Sequence, residues 1–146
     1  MQISSSAFGA NALMQSKYTC DGDNISPPLS FSNVSANAQS LALIVDDPDA
    51  RAGVWIHWVV FNIRPDTAEI PENSVPHGAV EGVTSFRTNG YGGPCPPSGT
   101  HRYFFKLYAL DCKLDLDEKV SKEDVEKAME GHIIAHAEMV GLYTRS

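Results

Sequence analysis

Three runs rich in β-branched and aromatic residues, "SLALIVDD" (40–47), "VWIHWVVFNI" (54–63) and "HRYFFKLYAL" (101–110), limit what this chain can fold into. Each is short and bounded by turn residues. The "DPDARAG" between the first two predicts a strand, a tight connection and a second strand. Shorter stretches at 2–8, 25–31 and 79–86, interrupted by Gly, Pro and Ser, are weaker strand candidates. The period changes only in the last quarter. There Ser121 with Asp124 makes a capping-box-like start, and Val125, Ala128, Met129 and His132 follow at helical spacing. The pattern predicts a helix over 122–138, with Gly131 as its break point, and a terminal strand "GLYTR". Many short strands with one helical segment point to a mainly β domain, a sandwich or barrel with a peripheral C-terminal helix, filling 1–146 as one unit.

The net charge of −7 opposes general affinity for nucleic acid or an anionic bilayer, so an anion must be captured locally in a pocket. No run approaches the length of a membrane span, and "MQISSSAFGANALMQ" lacks the basic start and apolar core of a secretory signal. Cys20, Cys95 and Cys112 are odd in number, widely spaced and without a C-x-x-C, which suits reduced thiols. The expectation is a cytoplasmic protein without stable membrane insertion.

Alternation along the strands groups side chains. In 54–63 it puts His57 on one face with Trp55, Val59 and Phe61; in 101–110 it puts His101 with Tyr103, Phe105 and Leu107. Both imidazoles adjoin Gly/Pro-shaped loops, and the aspartates of "DDPDA" sit at a strand end beside them. Two core histidines satisfied by backbone carbonyls would explain this equally. The alternative is a polar cluster suited to an oxyanion. Imidazole N–H groups, a phenol and loop amides would donate, and Asp47 would orient a histidine. Anion affinity should then rise as pH falls through the histidine range near 6.5. The same His and Asp set is a weaker candidate for Zn or non-haem Fe.

Other motifs carry less. "HIIAH" (132–136) spaces His132 and His136 as a metalloprotease helix does, but Ile133 stands where the general base belongs. "DGDN" (21–24) lacks the remaining ligands of a calcium loop and reads as a turn. Ser98 and Cys95 lie near His101 in sequence, yet there is no G-x-S-x-G elbow, and a shaped loop explains both.

Five stretches in order, "DGDNISPPLSF", "VDDPDA", "WIHWVVFNI", "GYGGPCPPSGTHRYFFKLYALD" and "AMEGHIIAHAEMVGLYTR", resemble the motifs of the phosphatidylethanolamine-binding proteins, in particular the short bacterial and archaeal Raf kinase inhibitor-like branch. The resemblance runs from about residue 20 to the C-terminus. It implies a two-sheet antiparallel β-sandwich with an anion pocket at one edge. Carried over by position, the pocket takes Asp47 with Asp49 nearby, His57, the Gly93 to Pro97 loop including Cys95, and His101 with Tyr103. Five positions depart from the family pattern: Arg51 and Arg64 stand where Pro is usual, Thr84 and Arg87 replace a common Asn and Gly pair, and His136 replaces a common Glu. The resemblance further implies a non-enzymatic binder of phosphate-bearing groups such as phosphoethanolamine, needing no cofactor or metal. It also implies regulatory partners among protein kinases or serine proteases, and a homodimer would suit it. A phosphate-ester hydrolase using the His/Asp cluster, with or without the assistance of a metal, is the alternative.

Overall fold

The structure, a computed structural model, describes residues 1–145. Nine strands are described in chain order: β1 (Gln2–Ser4), β2 (Ala12–Leu13), β3 (Leu29–Ser32), β4 (Ser40–Asp47), β5 (Trp55–Ile63), β6 (Glu69–Ile70), β7 (Val80–Glu81), β8 (Gly99–Leu110) and β9 (Ile133–Arg145). One α-helix, α1 (Lys122–Met129), lies between β8 and β9. The strands make a small sheet, β1-β3-β6, and a large one, β2-β9-β8-β4-β5-β7. The pairings are antiparallel except β2 with β9, a two-residue parallel match at the edge.

The three strongest runs become β4, β5 and β8, side by side in the large sheet. β4 is buried along its whole length, which explains its continuous apolar character. One face of the large sheet, with Leu41, Leu43, Val45, Tyr103, Phe105 and Leu107, packs against Leu29, Phe31 and Ile70 of the small sheet. The other face, with Ala42, Ile44, Val59 and Phe61, is covered by Val125 and Met129 of α1 and by Leu114. Burial at about 25 cal/mol per Å² of apolar area drives both contacts.

The helix begins as predicted. Ser121 is its N-cap and forms a reciprocal capping box with Asp124. It ends nine residues early, at Met129, because Gly131 takes φ +79° and His132 N–H turns back to Met129 O at 2.9 Å. Residues 133–145 then extend as β9 and pair with β8 from Leu110 to Gly99. Ala, Glu and Met in 135–139 favour helix locally, but a long ladder beside β8 outweighs that preference. Met139, Gly141 and Tyr143 alternate as the buried positions of the strand, and Ala135 and Ala137 of the same face pack against the core. His136 is exposed on β9, and four residue steps of extended chain put it roughly 13 Å from His132, so "HIIAH" forms no ligand pair.

Two irregularities reset β5. Val45 faces Trp58 while Asp46 faces Ile56, which leaves His57 as the extra residue of a β-bulge. A second shift lies between Leu41 and Leu43, opposite Asn62, whose φ is +56°. Asn62 anchors the bend by exchanging two 2.8 Å hydrogen bonds with the backbone of Leu114. The alternation expected for His57 therefore fails beyond Trp55. Val59 and Phe61 point to the α1 side, whereas His57 stays with Trp55 on the side of Asp47 and Tyr103.

Candidate functional site

At the end of the large sheet where β4 stops, β5 starts and β8 enters, the loops enclose a cavity of about 360 Å³. Its polar groups are Asp47, His57, His101 and Tyr103, and its apolar walls come from Ala50, Trp55, Phe86, Cys95, Pro96 and Pro97, with Arg51 also lining it.

β4 delivers Asp47 at its last residue, 3% exposed. Both carboxylate oxygens are engaged. Oδ1 accepts the Asp49 N–H at 2.7 Å, shaping the 48–53 turn, and Oδ2 accepts the His101 Nδ1–H at 2.6 Å. The carboxylate thus fixes the His101 ring and leaves its Nε2 for a ligand. The bulge delivers His57, whose Nδ1–H donates to Gly92 O at 2.6 Å, again leaving Nε2 uncommitted. The His57 ring is held edge-on between Phe86 and Tyr103, with centroids 5.4 and 5.2 Å away. Burial pushes its pKa below the ordinary histidine value, against the opposing pull of the Gly92 carbonyl and Asp47. His57 thus satisfies both readings of a buried histidine: a carbonyl holds one nitrogen and the cavity receives the other.

Tyr103 is 1% exposed, and its hydroxyl has no hydrogen-bond partner. Burial, then the charge of Asp47, raises its pKa far above the phenol value, so the group stays a neutral donor. A buried O–H without a partner costs about 1–3 kcal/mol, which a ligand oxygen at this site would recover.

Two predicted site residues lie outside the lining. Asp49 turns to β8, where its carboxylate accepts from the Arg102 backbone N–H, Nε and Nη2 at 3.0, 2.9 and 2.8 Å. The Arg102 guanidinium holds its carboxyl at about 2, well below the usual range. Gly93 is buried behind the wall and donates its N–H to Asn24 Oδ1 at 2.8 Å. A Cβ there would stand 2.3 Å from Tyr18 O, so only glycine permits this approach.

The loop itself differs from the expected cradle of free amides. Gly92 N–H donates to His57 O at 2.9 Å, Gly93 N–H is taken by Asn24, and Pro94, Pro96 and Pro97 have none. Gly92 and Gly93 thus offer no free amide to the cavity, the polar groups facing the cavity are side chains, and the loop serves mainly as its wall. Its rigidity comes from a disulfide between Cys20 and Cys95, supported by Cys20 N–H to Pro94 O at 3.1 Å and Tyr91 Oη–H to Tyr18 O at 2.8 Å. The bridge overturns the expectation of reduced thiols for this pair; Cys112 alone is free. Cysteine usage therefore gives no argument for a reducing compartment. Loop closure between cysteines 75 residues apart in sequence leaves no spacing signal to read. Within "DGDN", Asp21 accepts from Tyr143 Oη at 2.6 Å and pairs with Arg145, while Asn24 holds Gly93; the stretch is a tie, not a cation loop.

Phe86 was not legible as a site residue. It sits 39% exposed in the "TSFRTNG" turn and closes one wall over His57 and Trp55. An aromatic isolated among turn residues is the only sequence signal it carries. Arg87 beside it has φ +65°, the conformation that explains glycine there in the family pattern. Thr84 is buried and bonds to the Thr88 carbonyl within the same turn, and Arg64 pairs with Asp66 on the surface. No described helix is long and apolar enough to cross a membrane.

The comparisons bear on the fold and the family. The chain is 55% identical over 150 residues to a UPF0098 protein of Methanothermobacter thermautotrophicus, covering 99% of each. It is 47% identical to a UPF0098 protein of Chlamydia muridarum, covering 98% of each. Among solved structures, a putative phosphatidylethanolamine-binding protein homolog, CT736 from Chlamydia trachomatis, superposes with a TM-score of 0.96 at 46% identity, covering 99% of this chain and 97% of that one. E. coli YbcL, described as a member of the mammalian family of the same name, gives 0.93 at 32% identity, covering 99% and 98%. The family model described as "Phosphatidylethanolamine-binding protein" matches residues 4–144, and the chain belongs to the phosphatidylethanolamine-binding protein family.

Proposed function

We propose that the protein is a non-enzymatic binder of phosphate-bearing groups, held in the cavity by Tyr103, His57 and His101. The observation that carries this reading is the Tyr103 hydroxyl, a fully buried donor with no partner, beside two imidazoles whose Nδ1 atoms are already fixed. Three convergent groups around a small cavity suit the oxygens of one phosphate. With Nδ1–H committed, each neutral ring presents an acceptor at Nε2. A phosphomonoester monoanion brings a proton to share with that nitrogen, and a dianion draws one in, so binding is coupled to proton uptake. The walls of Trp55, Phe86, Pro96 and Pro97 suit an organic substituent on the phosphate, as in phosphoethanolamine or a phosphorylated side chain.

Covalent turnover needs a protein nucleophile, and the lining supplies no free hydroxyl or thiol beyond the Tyr103 phenol; hydrolysis would have to use a water activated by one of the imidazoles. Cys95 is bridged to Cys20, and Ser98 lies in the exposed turn before β8, outside the lining. A regulatory role toward a kinase or protease would use the same pocket for a phosphorylated residue of the partner.

Phosphorus NMR titration of phosphoethanolamine and of inorganic phosphate tests the site. Saturable broadening that His101→Ala removes is expected. Unperturbed phosphorus signals at millimolar protein would reject the pocket, and His101→Ala-sensitive release of phosphate from a generic ester would reject the non-enzymatic reading.

A further inference from the structure

At the opposite end of β8, ten residues and roughly 30 Å of strand from His101, three side chains of different ligand chemistry converge. We propose that Asp111, Cys112 and His132 form a binding site for one transition-metal dication of the zinc class. A carboxylate oxygen, the thiol sulfur and an imidazole nitrogen from these residues all lie within 4.8 Å of one another. Zinc bond lengths of about 2.0–2.3 Å require tetrahedral donors roughly 3.5 Å apart. Asp111 and His132 are half-exposed and have room to close the difference.

The backbone beneath the three donors is already fixed. Asp111 N–H donates to His132 O at 3.0 Å, where the β8–β9 ladder begins. His132 N–H donates to Met129 O at 2.9 Å, so the end of α1 places the imidazole. Ser40, itself buried, donates its hydroxyl to Cys112 O at 2.6 Å. Two segments separated by α1 are thereby presented side by side, with Cys112 the free thiol of the chain.

His132 Nδ1 and Asp111 Oδ1 now share a proton across 2.7 Å. On binding, the metal takes that proton's place at Nδ1 and the neutral ring carries its proton on Nε2 instead; the Cys112 thiol proton leaves to solvent, and a solvent oxygen completes the fourth position. A thiolate with an imidazole and one carboxylate selects zinc, cobalt or copper over magnesium and calcium, which prefer all-oxygen sites. An exposed His–Asp pair alone would be an ordinary surface contact. The third, softer donor on a pinned backbone is what makes this a ligand set.

Cobalt(II) titration of the metal-free protein tests the site optically. One equivalent should produce a thiolate-to-cobalt charge-transfer band in the near ultraviolet. Cys112→Ser should abolish the band, His132→Gln should weaken cobalt affinity by more than about tenfold, and His101→Ala should change neither. Absence of the band, or its survival in Cys112→Ser, overturns the proposal. The wild-type protein gives a second readout that needs no variant. Zinc should slow alkylation of Cys112 by iodoacetamide more than about tenfold, and an unchanged rate would also overturn it.

Discussion

His57 and Gly92 exchange two hydrogen bonds: the ring Nδ1–H donates to Gly92 O at 2.6 Å, and the Gly92 N–H donates to His57 O at 2.9 Å. A bulged strand residue and a loop glycine 35 positions away therefore hold each other. The ring that meets the cavity and the loop that walls it are set by one interaction.

The lowered pKa of His57, caused first by burial, fixes a sign for the acid response. The unfolded chain takes up a proton near pH 6.5 while the folded ring stays neutral to lower pH. The contribution is therefore complete above about 6.5 and lost as pH falls toward the folded value, by up to about 1.4 kcal/mol per pH unit. The stability difference between wild type and His57→Gln, followed by denaturant unfolding from pH 7.5 to 5, should show this slope. Phosphate favours the protonated ring and should reduce it.

Tyr103→Phe separates stability from binding. Removing a buried hydroxyl that has no partner should leave the free protein as stable or raise its stability by about 1 kcal/mol. The same change should weaken phosphoethanolamine binding about tenfold, as one lost hydrogen bond to a charged ligand implies. Thermal unfolding and calorimetry on one preparation check both directions.

Asp47 and Asp49, two residues apart, should behave oppositely. Asp47→Ala leaves the His101 Nδ1–H unpaired inside the site, and phosphate affinity should fall about tenfold. Asp49→Asn weakens a brace to Arg102 that is partly exposed, costing no more than about 1 kcal/mol and leaving affinity within about twofold. With its carboxyl held at about 2, the Asp49 contribution is present above the usual carboxylate range and fades between about pH 4 and 2. Calorimetric titration of the two variants distinguishes the roles.

Reduction of the Cys20–Cys95 bridge removes a constraint spanning 75 residues, worth about 4 kcal/mol in the chain-entropy limit. Thermal unfolding with and without a strong reductant should show the midpoint fall by at least several degrees. Phosphate affinity should fall as well, because Cys95 is part of the cavity wall. An unchanged midpoint after confirmed reduction would contradict this account of the loop.

Local order was legible where one strand and its alternation suffice. The runs at 40–47, 54–63 and 101–110 became strands with nearly those bounds, and alternation along β8 placed His101, Tyr103, Phe105 and Leu107 on one face. The capping box of Ser121 and Asp124 is equally local and appears where the residues put it. Tertiary structure decided the rest, because each outcome depends on a distant partner. The β8 ladder made 133–138 a strand against its helical preference, and the bulge opposite Val45 and Asp46 returned His57 to the pocket while sending Val59 and Phe61 to α1. Packing of the 92–97 loop on residues 18–24 spent the Gly93 amide and joined Cys20 to Cys95, while β5 took the Gly92 amide. Side-chain chemistry could be read from the order of the residues; which of those side chains meet depended on pairing register and loop packing, which no single segment encodes.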